Sequence, residues 1–231
     1  MVAYAGTFGP PPTTRLEVAL TSSLPGAVRA TRSKRGSTRV KMLQAAAEVL
    51  RERGAAGVTI DEVLARSGAP RGSVYHHFPG GRNQLLAEAL VFAGETITEV
   101  IDQAAPKGAR YLIREFVEFW QRILTLSDFA AGCPVVAAAV GPVDDGLHLT
   151  TVAGAIFSHW RDALVRAFVN DGFSRADADA LSVTGIAALE GAVVLCRATR
   201  STDPLREVSD QVEFLIAARE FVRRHGGPVS D

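Results

Sequence analysis

Cysteine is scarce. The 231 residues hold two, Cys133 and Cys196, with no metal-ligand spacing. That leaves no disulfide scaffold or thiolate zinc site, and a reducing cytoplasm is the natural expectation. Net charge is absent, with 25 Lys and Arg against 25 Asp and Glu. No apolar run reaches the roughly 18 residues that cross a bilayer, so no membrane partner is expected. The N-terminus does not read as a secretory signal, because Glu17 and a polar centre interrupt "LEVALTSSLPGAV". Catalytic signatures are missing as well: G-x-S-x-G, the P-loop, the Rossmann glycines and H-E-x-x-H are not found. Cys133 precedes Pro134, but no activating base stands near it in sequence. An enzyme is therefore a remote alternative, and no cofactor or metal is implied.

The charge that is present is unevenly spread. Val28 to Arg82 carries 11 Lys and Arg against 4 Asp and Glu, a net +7; Asn83 to the end carries 13 against 20, a net −7. A basic N-terminal unit on an acidic body points to one end that meets a polyanion.

Residues 1–36 lack periodicity and are rich in turn formers ("GPPPTT", "SSLPG", "SKRGS"), so a flexible extension is expected. From Ser37 the pattern turns helical, with Val40, Leu43, Ala47 and Leu50 on one face, Ser37 as cap and Gly54 as stop. "VTIDEVLARSG" predicts a short helix with a Thr59–Glu62 capping box and a Gly68 stop. "PRGSVYHHF" predicts a third, with Pro70 in its first turn. Further helices are expected at about 82–104, 108–127, 134–140, 148–170, 174–198 and 204–224. No stretch alternates as a strand does, and nothing repeats at a fixed period. The fold class is all-α, with a three-helix unit at 37–81 and a helical body at 82–231.

Two short helices around a tight turn form a helix-turn-helix, whose second helix enters the major groove. At about 100° per residue, Val74 and Phe78 share the buried face, while Gly72 and His76 point outward between Ser73 and Tyr75. His77 falls near the edge of the buried face, so it either reaches phosphate or packs. Arg71 leads the strip and suits guanine or phosphate; Ser73 and Tyr75 suit phosphate; Gly72 allows close backbone approach. Arg82, at the positive end of the next helix, suits another phosphate. The "HH" pair makes a poor metal site, because adjacent helical residues diverge where two ligands need i, i+4 spacing.

"TIDEVLARSGAPRGSVYHHFPGGRNQL" strongly resembles the TetR family of bacterial transcriptional repressors, over Ser37 to about Leu90. "GAPRGSVYHHFPGG", "GCPV" at 132–135 and "EGAVVLCRATRSTDPL" at 190–205 resemble the branch that controls drug-efflux and flavonoid-responsive genes. The resemblance implies a homodimer on a palindromic double-stranded operator, released when a small molecule binds the C-terminal domain. It implies DNA contacts at Thr59, Arg71, Ser73, Tyr75, His76, His77 and Arg82. Pro70 departs from the family, which more often has a capping Ser or Thr there, and the 36-residue leader is longer than usual. Val28 is a candidate true start; intact-mass measurement of native protein tests it, and a species beginning at Met1 refutes it.

In the body, Phe92, Phe116, Phe119, Trp120, Phe157 and Trp160, with Cys133 and His148, are expected around an apolar effector pocket. "ALSVTGIAALEGAVVLCRA" is rich in small residues, and "LREVSDQVEFLIAAREF" carries an apolar stripe. Leu181, Ala188, Gly191, Val208, Val212 and Leu215 are the expected dimer contacts, with packing inside one chain as the alternative. The remaining alternative is a DNA-binding regulator without an effector.

Overall fold

A computed structural model describes residues 34–141 and 149–225, with side chains from residue 38 onward. The leader, Val28 and His148 lie outside the described residues. The described chain is all-α: α1 (Lys34–Gly57), α2 (Ile60–Ser67), α3 (Ser73–His77), α4 (Gly81–Ala104), a 3₁₀ turn (Ala105–Lys107), α5 (Ala109–Leu126), α6 (Pro134–Ala139), α7 (Leu149–Asn170), α8 (Arg175–Thr199) and α9 (Asp203–His225). Strands are absent among these residues.

Three local expectations change. Helix α1 begins at Lys34, so Ser37 lies inside it rather than at its cap. Gly54 does break it, at φ 70°. The capping box is half made: Thr59 Oγ1 accepts from the Glu62 N–H at 3.2 Å, but the Glu62 carboxylate turns to Arg66 Nε at 2.8 Å. Pro70 lies in a turn ahead of α3, where its carbonyl accepts from the Ser73 N–H at 2.9 Å. Gly68 closes α2 at φ 64°, and its N–H reaches the Leu64 carbonyl, as expected.

Met42, Val49, Val58, Val63, Val74 and Phe78 are fully buried and form the core that α1, α2 and α3 share. Arg66 ties the unit together from its edge. Its guanidinium donates to Glu52 at 2.7 and 3.1 Å and to Glu62 at 2.8 Å, with Glu48 at 3.9 Å. Only 12% of its side chain is exposed. Replacing Arg66 with Met removes the cation that three crowded carboxylates share, and Glu62 keeps only its more exposed pair with Arg53 at 3.3 Å. The variant is expected to lose about 2 kcal/mol of stability, measured by urea unfolding. A change below roughly 0.5 kcal/mol, the range of an ordinary surface substitution, rejects this role.

In the body, α4, α5, α7 and α8 surround a second core, which includes Trp160, Phe168, Ile97 and Ile113. Helix α8 corrects the reading of apolar runs: an 18-residue window within it has mean hydropathy 1.6, long and apolar enough to cross a membrane. Of that window, 44% is buried within the chain's own fold, and the core helix of a soluble bundle passes the same test.

Candidate functional site

The outer strip of α3 is largely where the helical wheel puts it. Tyr75 is 62% exposed, Gly72 and His76 are exposed, and Val74 and Phe78 are fully buried beneath them. An added Cβ at Gly72 would meet nothing within 4 Å, so the backbone there is open to close approach. The two histidines are less separate than the wheel suggests. Their rings meet edge to face with centroids 5.0 Å apart, and His77 is half-buried. The pair thus presents one joined surface.

The other expected contacts divide. Arg71 is exposed and held only by an exposed pair with Asp61 at 2.9 Å, a weak tie that phosphate can replace. Thr59 Oγ1 is occupied as acceptor by the α2 cap, which leaves its hydroxyl proton available. Ser73 is different: its hydroxyl donates to the Pro70 carbonyl at 2.6 Å, so its donor is already used. Arg82 is also committed. Nε donates to the Val58 carbonyl at 2.6 Å and Nη2 to the Ala55 carbonyl at 2.7 Å. Its clearest role is to bolt the start of α4 to the α1–α2 connection. Periodicity places a residue on a face but does not count its hydrogen bonds, which is why Ser73 and Arg82 looked free.

The body holds an apolar cavity of about 390 Å³ counting its mouth, between α4, α5, α7 and α8. Of the expected pocket residues, Phe116 and Trp160 line it. Phe119 and Trp120 pack beside Phe116 in the core, and Phe92 and Phe157 are half-buried outside the lining. Leu181, expected at a dimer face, lines the cavity instead. Phe168, Leu189 and Glu190 are lining residues that periodicity missed.

Glu190 had a signal in the sequence: it is the single charged residue between Asp179 and Arg197. It is 6% exposed, and its carboxylate oxygens meet no N–H or O–H donor among the described residues, only the weak Cys133 thiol. Burial pushes its carboxyl up to about 7, and the neighbouring Cys133 thiol draws it partly back. Burial, with Glu190 beside it, raises the Cys133 thiol well above its ordinary value, opposite to what a nucleophile needs. Among the described residues, no three His, Cys, Asp or Glu gather as metal ligands.

Two arginines join the cavity helices to the helix-turn-helix. Arg82 on α4 is one. Arg197, two turns beyond Glu190 on α8, donates to the carbonyls of Arg51 and Glu52 near the end of α1. The Gly132 N–H reaches the same Arg51 carbonyl at 3.0 Å.

The expected dimer contacts are redistributed. Val212 is buried within one chain, and Ala188, Val208 and Leu215 are half-buried. Gly191 is exposed, with open space where a Cβ would stand. The apolar groups left open are Val183, Val194 and Leu195 on α8 and Phe214, Phe221 and Val222 on α9. The sequence stripe on α9 therefore faces inward, and Phe214 and Phe221 mark its outer face.

Comparison with known proteins accounts for both halves. Residues 42–89 match the model for bacterial regulatory proteins of the tetR family. Residues 110–211 match the C-terminal domain of LmrA/YxaF-like transcriptional regulators. An uncharacterized HTH-type transcriptional regulator of Mycobacterium tuberculosis, Rv0196, is 40% identical over 78% of this chain and 94% of its own. The HTH-type transcriptional regulator LmrA of Bacillus subtilis is 26% identical over 78% of this chain and 97% of its own. The crystal structure of a TetR transcriptional regulator from Chloroflexus aurantiacus superposes with TM-score 0.66 at 26% identity, covering 80% of this chain and 96% of that one. The regulatory protein TetR from Rhodobacter sphaeroides, at 20% identity and TM-score 0.67 over 76% and 96%, shares the fold. The chain belongs to the TetR family of transcriptional regulators and is not an enzyme.

Proposed function

We propose that the protein is a ligand-responsive repressor that binds a palindromic operator as a homodimer and releases it when an apolar or aromatic effector fills the cavity. One observation carries this reading: the outward strip of α3 and the cavity are tied to one another through α4 and α8. Residues 37–81 are the reading head, 82–231 the sensing and dimerising body, and the leader up to residue 36 an extension. Tyr75, His76 and Arg71 meet DNA directly, with Gly72 allowing close approach and His77 and Thr59 at the rim. An efflux or detoxification gene is the target implied by the resemblance of 132–135 and 190–205 to the drug-efflux branch. The exposed apolar groups on α8 and α9 support pairing of two chains through a four-helix contact.

The signal has a physical route. Helix α4 carries Arg82 on the reading head and Ile101 in the cavity wall, and α8 carries Glu190 in the wall and Arg197 on α1. An effector that favours one tilt of these helices changes the spacing of the two reading heads. Operator affinity indifferent to every ligand that occupies the cavity would sink this mechanism.

The reading role of α3 is tested at His76. His76→Ala is expected to weaken binding to DNA from the protein's own upstream region by roughly five- to a hundredfold, measured by fluorescence anisotropy at fixed salt. Unchanged affinity and unchanged sequence preference refute it.

A further inference from the structure

Glu190 is the one charged residue in the wall of the cavity. Every other residue lining the cavity is apolar, from Ile101 on α4 through Phe116, Trp160 and Phe168 to Leu189. The wall contains no Lys, Arg or His. A carboxylate with only a thiol beside it in such surroundings is costly to keep. Its oxygens are covered by the wall, where only the weak donor of the Cys133 thiol lies against them. Rotation about the Glu190 side-chain torsions can therefore turn the carboxylate toward a bound molecule at the cost of that weak thiol contact. The cavity also supplies three aromatic rings, Phe116, Trp160 and Phe168, whose faces attract a cation.

From this geometry we infer that the effector is a lipophilic amine: an apolar, ring-bearing body carrying one protonated nitrogen that pairs with Glu190. The inference rests on the reading of this cavity as the effector site. An anionic effector is disfavoured, because it would share an apolar cavity with a carboxylate and meet no cation in the wall. A neutral effector would leave the Glu190 carboxylate without a cation. The amine supplies both a charge partner and a donor, and the rings receive the remainder of its body.

The test uses three probes of one shape: 1-naphthylmethylamine, 1-naphthylmethanol and 1-naphthoate, titrated into the full-length protein by calorimetry at about pH 8, above the range where a buried carboxyl of this kind titrates. Wild type is expected to bind the amine roughly ten- to a hundredfold more tightly than the alcohol, the span of a hydrogen bond to a charged group, and the naphthoate most weakly. Glu190→Gln and Glu190→Leu are expected to abolish the amine's preference, so that within each variant amine and alcohol bind within about threefold of one another. If the alcohol binds wild type as well as the amine does, the amine inference is overturned and the cavity reading stands. A preference for the amine that survives in both variants also overturns the role of Glu190. If none of the three probes binds wild type, the effector-site reading fails and this inference falls with it.

Discussion

Replacing Phe214 with Asp is expected to yield a folded monomer whose operator binding has fallen by at least about a hundredfold, the advantage that two linked reading heads have over one. Phe214 is 70% exposed in the single chain, so the substitution removes little packing and costs little folding stability. Phe221, one heptad on, is 64% exposed on the same side of α9. If two chains pair there, the introduced carboxylate would be a desolvated charge at the contact, and two-fold symmetry presents it twice. Sedimentation velocity and anisotropy on the upstream DNA measure the two consequences separately. A Phe214→Asp protein that still sediments as a dimer places the subunit contact elsewhere. One that is monomeric but binds DNA as wild type does shows that a single reading head suffices.

A second large effect is expected from Glu190→Gln, and its sign depends on pH. The carboxyl ordinarily titrates at 4.5 and is raised to about 7 in the fold. The folded state therefore holds the proton more tightly than the unfolded state, so this group's contribution to stability falls as pH rises from about 4 to about 8. Below that window both states are protonated and the penalty vanishes; above it the penalty reaches about 3 kcal/mol. Gln cannot ionise and resembles the protonated acid. Wild type and variant should thus melt together near pH 4, and by about pH 8 the variant should melt higher by roughly 5–10 °C. Parallel pH profiles would show that Glu190 does not ionise inside the fold.

The sequence was most legible where a feature depends on periodicity. The α4, α5, α7, α8 and α9 boundaries fall within a residue or two of those expected, because long helices with turn residues at both ends leave few alternatives. The outer and inner faces of α3 followed from spacing for the same reason. What could not be read was the occupancy of polar groups. Ser73 and Arg82 lie near the predicted surface, yet one hydroxyl proton and one guanidinium are used by carbonyls that only the folded chain brings near. The pocket was harder still. Aromatic residues signal a core, but which of them border a void depends on how four helices cross. Phe116 and Trp160 do border it, whereas Trp120 packs out of reach. On α9 two apolar faces share one helix, and periodicity alone does not tell the inner from the outer.

The anchors made by Arg82 and Arg197 have an evolutionary consequence. Both grip main-chain carbonyls, those of Ala55 and Val58 and those of Arg51 and Glu52. A carbonyl has no side-chain identity, so exchange of any of those four residues leaves the acceptor in place. The joint between reader and sensor therefore tolerates drift on the reader's side. A lineage built this way can change the operator it recognises while the same sensing body stays attached and in register.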